Sequence, residues 1–315
     1  MKRPFSFARA SQSMMLIPLA PVLAVQAWWT VRRTPRLDPA GGDEHGFVQG
    51  ANPGAGRPAF RVVVIGESTA VGVGASRHAE ALPGFLAEAL GERLRRSVAW
   101  SVSGENGATA RRITGGLVPP PGGSAPDLVV VTVGINDLIR RRPLRRWAAD
   151  VAELVGVLRA RYAEAAVLVA GMPPVHRFPA IPRPLRYVLG ARARTMDRIM
   201  AEAVRAGGAV HAPMDEAMAR DRALFAADGF HPSPAGYRAW ARDLARAAAP
   251  SAGLRAAEPA AEPAAPSGAP RSLPPGAPSG TRSSTVSAAA RTAPGPPAGE
   301  RTSTPPAGTA PPRKN

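Results

Sequence analysis

Five short apolar runs, most of them Val-rich, constrain this chain more than any other feature. They occupy positions 61–65, 98–102, 128–133 and 167–170, with a weaker run at 209–211. Their apolarity is continuous rather than alternating, as a strand covered on both faces requires. The segments between them carry a helical period. Trp147, Val151, Leu154, Val155, Leu158 and Tyr162 share one face, with Arg145, Asp150, Glu153 and Arg159 off it. Strand and helix alternating at this spacing predict a parallel sheet with helices on both sides. The expected fold is α/β, a three-layer α/β/α sandwich on a mostly five-stranded parallel sheet, over residues 59–249.

The flanks read differently. Lys2, Arg3 and Arg9 form a basic leader, and an apolar run begins at Met14, is interrupted by Gln26 and ends by residue 31. Its length is nearer to a signal h-region than to the ~20 residues of a membrane span. Trp28 and Trp29 suit a membrane interface, and Arg32, Arg33 and Arg36 put positive charge on the second flank, so charge sets no orientation. Residues 1–37 are therefore read as a signal peptide or signal anchor, and the protein as exported or membrane-associated. Residues 38–58 read as an aperiodic linker. Residues 250–315 are Pro-, Ala-, Ser- and Thr-rich, without an apolar stretch that could offset the entropy of ordering them. They read as a disordered tail, passive by default, with a spacer or a binding arm as alternatives.

Composition removes several function classes. The absence of Cys excludes a disulfide framework, a thiolate metal site and a Cys nucleophile. The five His are scattered without H-x-x-x-H spacing, so no metal is expected. Gly72 and Gly74 do not form a dinucleotide fingerprint, and no cofactor is expected. The net charge of +17 divides as +4 in residues 1–59, +4 after Ala249 and +9 in between. It is spread along the chain, almost all as Arg, and no nucleic-acid-binding signature accompanies it. Nucleic acid is not an expected partner.

In open parallel sheets ligands bind beyond the carboxyl ends of the strands. The turns there read Gly66-Glu67-Ser68-Thr69, then Ser103-Gly104-Glu105-Asn106-Gly107-Ala108-Thr109, then Gly134-Ile135-Asn136-Asp137. Asp228-Gly229-Phe230-His231-Pro232 stands near the end of the domain. Together they supply a hydroxyl, a base, an orienting carboxylate and several donors. Each alone has a plainer account. A Ser after a strand is commonly a helix cap, Gly107 a turn residue, Asn136 a loop or cap side chain, and His231 a helix-entry residue.

In order and placement these four blocks resemble the SGNH hydrolases, the GDSL esterase/lipase superfamily. Gly66-Glu67-Ser68 stands for the Ser block, with Glu67 where the family pattern has Asp. Gly107 stands for the Gly block, with Gly104 a competing candidate. Gly134-Ile135-Asn136-Asp137 and Asp228-x-x-His231 are the other two. The resemblance implies Ser68 as nucleophile, His231 as base and Asp228 as its orienting carboxylate. It implies an oxyanion hole from the Ser68 N–H, the Gly107 N–H and the Asn136 amide. Gly66-Glu67-Ser68-Thr69-Ala70 also approximates the G-x-S-x-G elbow of α/β-hydrolases. In that fold the Ser lies well inside the domain and Asp and His come from separate loops, unlike Asp228 and His231 here.

The implied function is a serine esterase acting on a small-molecule or lipid carboxylic ester. Two alternatives use the same residues differently: an O-acyltransferase to a sugar or lipid hydroxyl, and a non-catalytic membrane-tethered interaction protein. Arg111, Arg140 and Arg141, with Arg112, Arg142, Arg145 and Arg146 nearby, follow turns expected at the catalytic edge, either as ordinary solvated helix starts or as a rim favouring anionic esters or acidic headgroups. The apolar, Pro-rich segment 172–190 is expected as a long loop walling the acyl pocket, dipping into a membrane surface or packing on the core.

Overall fold

The computed structural model describes residues 18–51, 57–120 and 125–250. The basic leader and the Pro-rich tail expected from the sequence lie outside the described residues. The described part contains one six-stranded sheet: β1 (His45–Val48), β2 (Phe60–Gly66), β3 (Val98–Gly104), β4 (Leu128–Thr132), β5 (Ala166–Ala170) and β6 (Val210–Ala212). The spatial order is β1-β3-β2-β4-β5-β6, with β1 antiparallel to β3 and every other pairing parallel.

Side chains alternate across a strand, so each apolar run serves two cores. Val129, Val131, Val167 and Val169 face α3 (Ala110–Gly116), α5 (Leu144–Arg161) and α6 (Leu185–Ala206). Leu128, Val130 and Leu168 face α2 (Leu82–Leu94) and α7 (Pro234–Ala248). Both faces are covered, which is why these strands read as unbroken apolar sequence. The register aligns the strand ends: Gly66 stands opposite both Gly104 and Thr132. The turns after β2, β3 and β4 therefore leave the sheet side by side.

Several expectations need correction. The stretch 38–58 is not a plain linker, because β1 pairs with the edge of β3 and Gly46 packs directly on the Trp100 indole. Upstream, Ala40 is buried, and its N–H donates to the Val71 carbonyl. The short strand has no apolar signature because one face is solvent-exposed and Gly46 breaks the run. Segment 172–190 is not all loop: a 3-10 turn forms at Val175–Arg177 and α6 begins at Leu185. Asp150 lies inside rather than off the buried face of α5, held by a two-pronged ion pair with Arg142 at 2.6 and 2.8 Å.

The N-terminal apolar segment contributes α1 (Ala20–Arg33), none of whose residues is buried. Among the described residues no helix is long and apolar enough to cross a membrane. The polar interruption in this run is its anchor. Gln26 Nε2 donates to the Arg183 carbonyl at 2.6 Å, and Gln26 Oε1 accepts from the Leu185 N–H at 3.0 Å. Between α1 and α6 lies an apolar hollow of about 620 Å³ that also reaches α4 (Ile135–Ile139).

Candidate active site

Ser68 lies in the tight turn after β2 and is 3% exposed. Gly66 permits that turn, since a Cβ there would collide with the Thr132 carbonyl of the neighbouring strand. The turn is braced from behind. The Ser68 carbonyl accepts the Val73 N–H at 3.0 Å, and the Val73 carbonyl accepts the hydroxyl of fully buried Tyr237 at 2.7 Å. Helix α7 thus holds the serine in place. It starts from Ser233, whose Oγ accepts the Gly236 N–H at 3.3 Å, with Pro234 in the first turn.

The segment before α7 delivers the partners of Ser68. Asp228 Oδ1 accepts the Phe230 and His231 backbone N–H groups at 2.9 and 3.0 Å, closing a small turn. Its Oδ2 accepts from His231 Nδ1 at 2.6 Å. The other ring nitrogen, His231 Nε2, is 3.0 Å from Ser68 Oγ. A carboxylate beside Nδ1 can only accept, so the proton sits on Nδ1 and Nε2 faces the serine as an acceptor. Burial by itself would raise the Asp228 carboxyl. The hydrogen bonds from the His231 ring, the His231 N–H and the Phe230 N–H outweigh it and hold the group below its ordinary value. Asp228 therefore stays ionised while buried, and the ring is fixed in one orientation.

The candidate oxyanion donors divide into two kinds. Gly107 adopts φ +85°, a left-handed backbone conformation natural to glycine. Among the described residues neither its N–H nor that of Ser68 donates to another group. Asn136 is engaged: Nδ2 donates to Glu67 Oε2 at 2.7 Å and to the Ala108 carbonyl at 3.0 Å. Gly134, just before α4, has φ +126°, and a Cβ there would meet Met172 Sδ and the Trp147 ring.

Glu67 is the residue that sequence reasoning passed over. It is 5% exposed and accepts from the Ile135 N–H, the Asn136 N–H and the Asn136 amide. Burial pushes its carboxyl up to about 7, against the lowering effect of those hydrogen bonds. The available signal was an acid at the end of a strand that is otherwise buried; where its side chain would go was not readable.

The expected arginine rim is largely tied into the fold. Arg112 pairs with Glu105 at 2.6 Å, Arg142 with Asp150, and Arg140 Nη2 donates to the Gly107 carbonyl at 3.1 Å. Arg141 lines the hollow under α1 rather than the pocket that holds Ser68. The Arg111 side chain makes no hydrogen bond or ion pair among the described residues.

An apolar pocket opens on Ser68 and His231, with a cavity volume of about 80 Å³. Val133, Ala170, Met214, Phe178, Phe225 and Phe230 contribute to its walls. Phe178, from the 172–190 segment, meets Phe225 and Phe230 edge-on at centroid distances of 5.7 and 5.0 Å. That segment does wall the pocket, through Phe178, while Ile181, Leu185 and Val188 line the hollow under α1.

A parallel α/β sandwich with Ser, His and Asp converging beyond its strand ends is the architecture of an SGNH-type hydrolase domain. The chain belongs to the GDSL-like lipase/acylhydrolase family, whose model matches residues 64–239. It is 34% identical over 194 residues to a GDSL-like esterase of Mycobacterium tuberculosis, a match covering 58% of this chain and 59% of that relative's length. Among solved structures it resembles a carbohydrate esterase family 2 enzyme with a carbohydrate-binding domain from Corynascus thermopiles (Myceliophthora fergusii). The TM-score is 0.50 at 18% identity, covering 64% of this chain and 69% of that one, a likeness of fold.

Proposed function

We propose that this chain is a serine hydrolase of carboxylic esters, working through an acyl-enzyme on Ser68. The observation that carries this is the continuous line from Asp228 Oδ2 through the His231 ring to Ser68 Oγ, at 2.6 and 3.0 Å. Ser68 Oγ attacks the ester carbonyl while His231 Nε2 takes its proton, and the imidazolium then returns that proton to the departing alcohol. Water, deprotonated by the same nitrogen, releases the acid and restores Ser68. Asp228, ionised and buried, stabilises the imidazolium formed at each step. The unengaged Ser68 and Gly107 N–H groups receive the charge that develops on the carbonyl oxygen, with Asn136 as the third donor.

The aromatic and aliphatic walls beside Ser68 favour an apolar acyl group. Lipid esters and small esters both fit that description, and the same acyl-enzyme could instead pass its acyl group to a sugar or lipid hydroxyl. A nitrophenyl ester series of increasing acyl length, turned over by the full chain and by Ser68→Ala, tests the assignment. Turnover lost with Ser68 supports it. Retained turnover in Ser68→Ala overturns it, and product that forms only with an added alcohol acceptor makes the protein a transferase.

The basic leader and apolar run support export, or association with a lipid surface, rather than a spanning anchor. Helix α1 exposes Trp28 and Trp29, 57% and 40%, beneath the Arg32 and Arg33 guanidiniums. Fractionation of cells making the full chain, beside a chain starting at residue 38, tests this. Identical distribution of the two would refute a targeting role.

A further inference from the structure

We propose that Glu67 is a positioning residue of this active site, which orients the Asn136 side chain and so governs which acceptor the Asn136 amide serves. The inference rests on the proposed function, in which Ser68 is the nucleophile and Asn136 an oxyanion donor.

Three facts of geometry carry it. Glu67 directly precedes Ser68, and its carboxylate points away from solvent onto one short stretch of chain. It accepts the Ile135 N–H at 3.4 Å, the Asn136 N–H at 3.5 Å and Asn136 Nδ2 at 2.7 Å. The second hydrogen of Asn136 Nδ2 goes to the Ala108 carbonyl, the residue after Gly107. Asn136 therefore bridges the turn after β2 and the turn after β3, and both hydrogens of its amide are in use. An oxyanion formed at the Ser68 and Gly107 N–H groups can gain an Asn136 hydrogen only if Glu67 or Ala108 gives one up.

Glu67 decides the outcome of that competition. A carboxylate is a stronger acceptor than a peptide carbonyl, so an ionised Glu67 holds the amide firmly, and a neutral acceptor at the same position orients it with less hold. Removing the acceptor altogether leaves Asn136 free to turn away. Glu67 makes no ion pair with a cation among the described residues, and the charged group acting on it from α4 is Asp137. The reach is also specific to Glu: an Asp here would fall short of Asn136 by about one C–C bond, ~1.5 Å.

The test is a double-mutant cycle in the full chain with 4-nitrophenyl acetate, reading kcat and KM separately at pH 6 and pH 8. Glu67→Ala is expected to lower kcat on the order of 10²-fold, the cost of a misplaced catalytic group, with KM little changed. Glu67→Gln keeps an oxygen acceptor without charge, and its kcat at pH 8 should exceed that of the natural protein. In an Asn136→Ala background both Glu67 substitutions should become nearly silent, because their effect passes through Asn136. Equal losses in the two backgrounds would reduce Glu67 to a structural role and overturn the proposal. So would wild-type kcat in Glu67→Ala, or a loss in Glu67→Gln as deep as that in Glu67→Ala.

Should Glu67→Ala fail to fold, Glu67→Gln decides alone. Its ratio of kcat at pH 8 to kcat at pH 6 must differ from that of the natural protein, and the difference must vanish with Asn136→Ala. An unchanged ratio, or a difference that persists, overturns the idea. Ser68→Ala in the same assay separates the two levels. Retained turnover there sinks the serine-hydrolase reading, whereas lost turnover with uncoupled Glu67 and Asn136 sinks only the positioning role.

Discussion

Ser68 and His231 are 163 positions apart in the chain and 3.0 Å apart at Oγ and Nε2. The contact requires the first central strand and the segment before the last helix to end at one edge of the sheet. Asp228 completes the line on the far side of the ring, so one short turn presents both the imidazole and the carboxylate that orients it.

Ser68→Ala should lower kcat on the order of 10⁴- to 10⁶-fold, and Asp228→Asn about 10⁴-fold by leaving the ring in the wrong tautomer. Thermal unfolding of Ser68→Ala should stay close to that of the natural protein. Ester turnover and calorimetry on the purified variants check both statements.

Tyr237→Phe should destabilise by about 1–3 kcal/mol, because the Val73 carbonyl then loses its buried partner. A smaller fall in kcat should accompany it, since Val73 in turn caps the Ser68 carbonyl. Urea denaturation with parallel kinetics checks this; unchanged stability would mean that water replaces the hydroxyl.

The Glu67 carboxyl, raised to about 7 by burial, makes stability depend on pH. Its ordinary value lies near 4.5, so folding takes up a proton between that value and 7. Its contribution is complete below pH ~4.5 and declines as pH rises to about 7, by about 3 kcal/mol in total. Asp228 acts with the opposite sign. Its carboxyl is depressed, so the stability it supplies is lost as pH falls through its folded value. Denaturation curves from pH 5 to pH 8 should show a decline in the natural protein that Glu67→Gln flattens.

Gly134→Ala should be strongly destabilising, since the new Cβ meets Met172 and Trp147 at a backbone angle that favours glycine. Adding Met172→Ala should restore part of the loss, the steric part, and leave the backbone part. Melting temperatures of the single and double variants check the division.

A chain beginning at residue 38 should fold as well as the full one, whereas one beginning at residue 59 should aggregate. Without β1 the β3 edge is unpaired and the Trp100 ring loses its Gly46 cover. Light scattering of the two chains distinguishes the cases.

Much of this protein was legible in its sequence. The Val-rich runs located five of the six strands, because a strand buried on both faces must be apolar at every position, and that requirement is local. The four motif blocks were legible for a similar reason. A parallel sheet sends each strand's following turn to the same edge, so Ser68, Gly107 and Asn136 could be grouped by their place after strands, while the Asp228–His231 pair was legible from the order of the four blocks. The sequence did not disclose β1, whose pairing comes from the exposed edge of β3 rather than from its own composition. Nor did it show that Gln26 docks α1 through Arg183 and Leu185, or that Asp150 is buried with Arg142.

Glu67 marks the boundary most clearly. Its identity was visible as an acid beside the serine, but its role depends on distance. Only the packed structure brings its carboxylate within 2.7 Å of the Asn136 amide, 69 residues away in sequence, and leaves it buried. Patterning sets which residues must be inside, because burial of apolar surface follows from composition and period. Hydrogen bonds are directional and short-ranged, so which polar group meets which is decided only once the chain has closed.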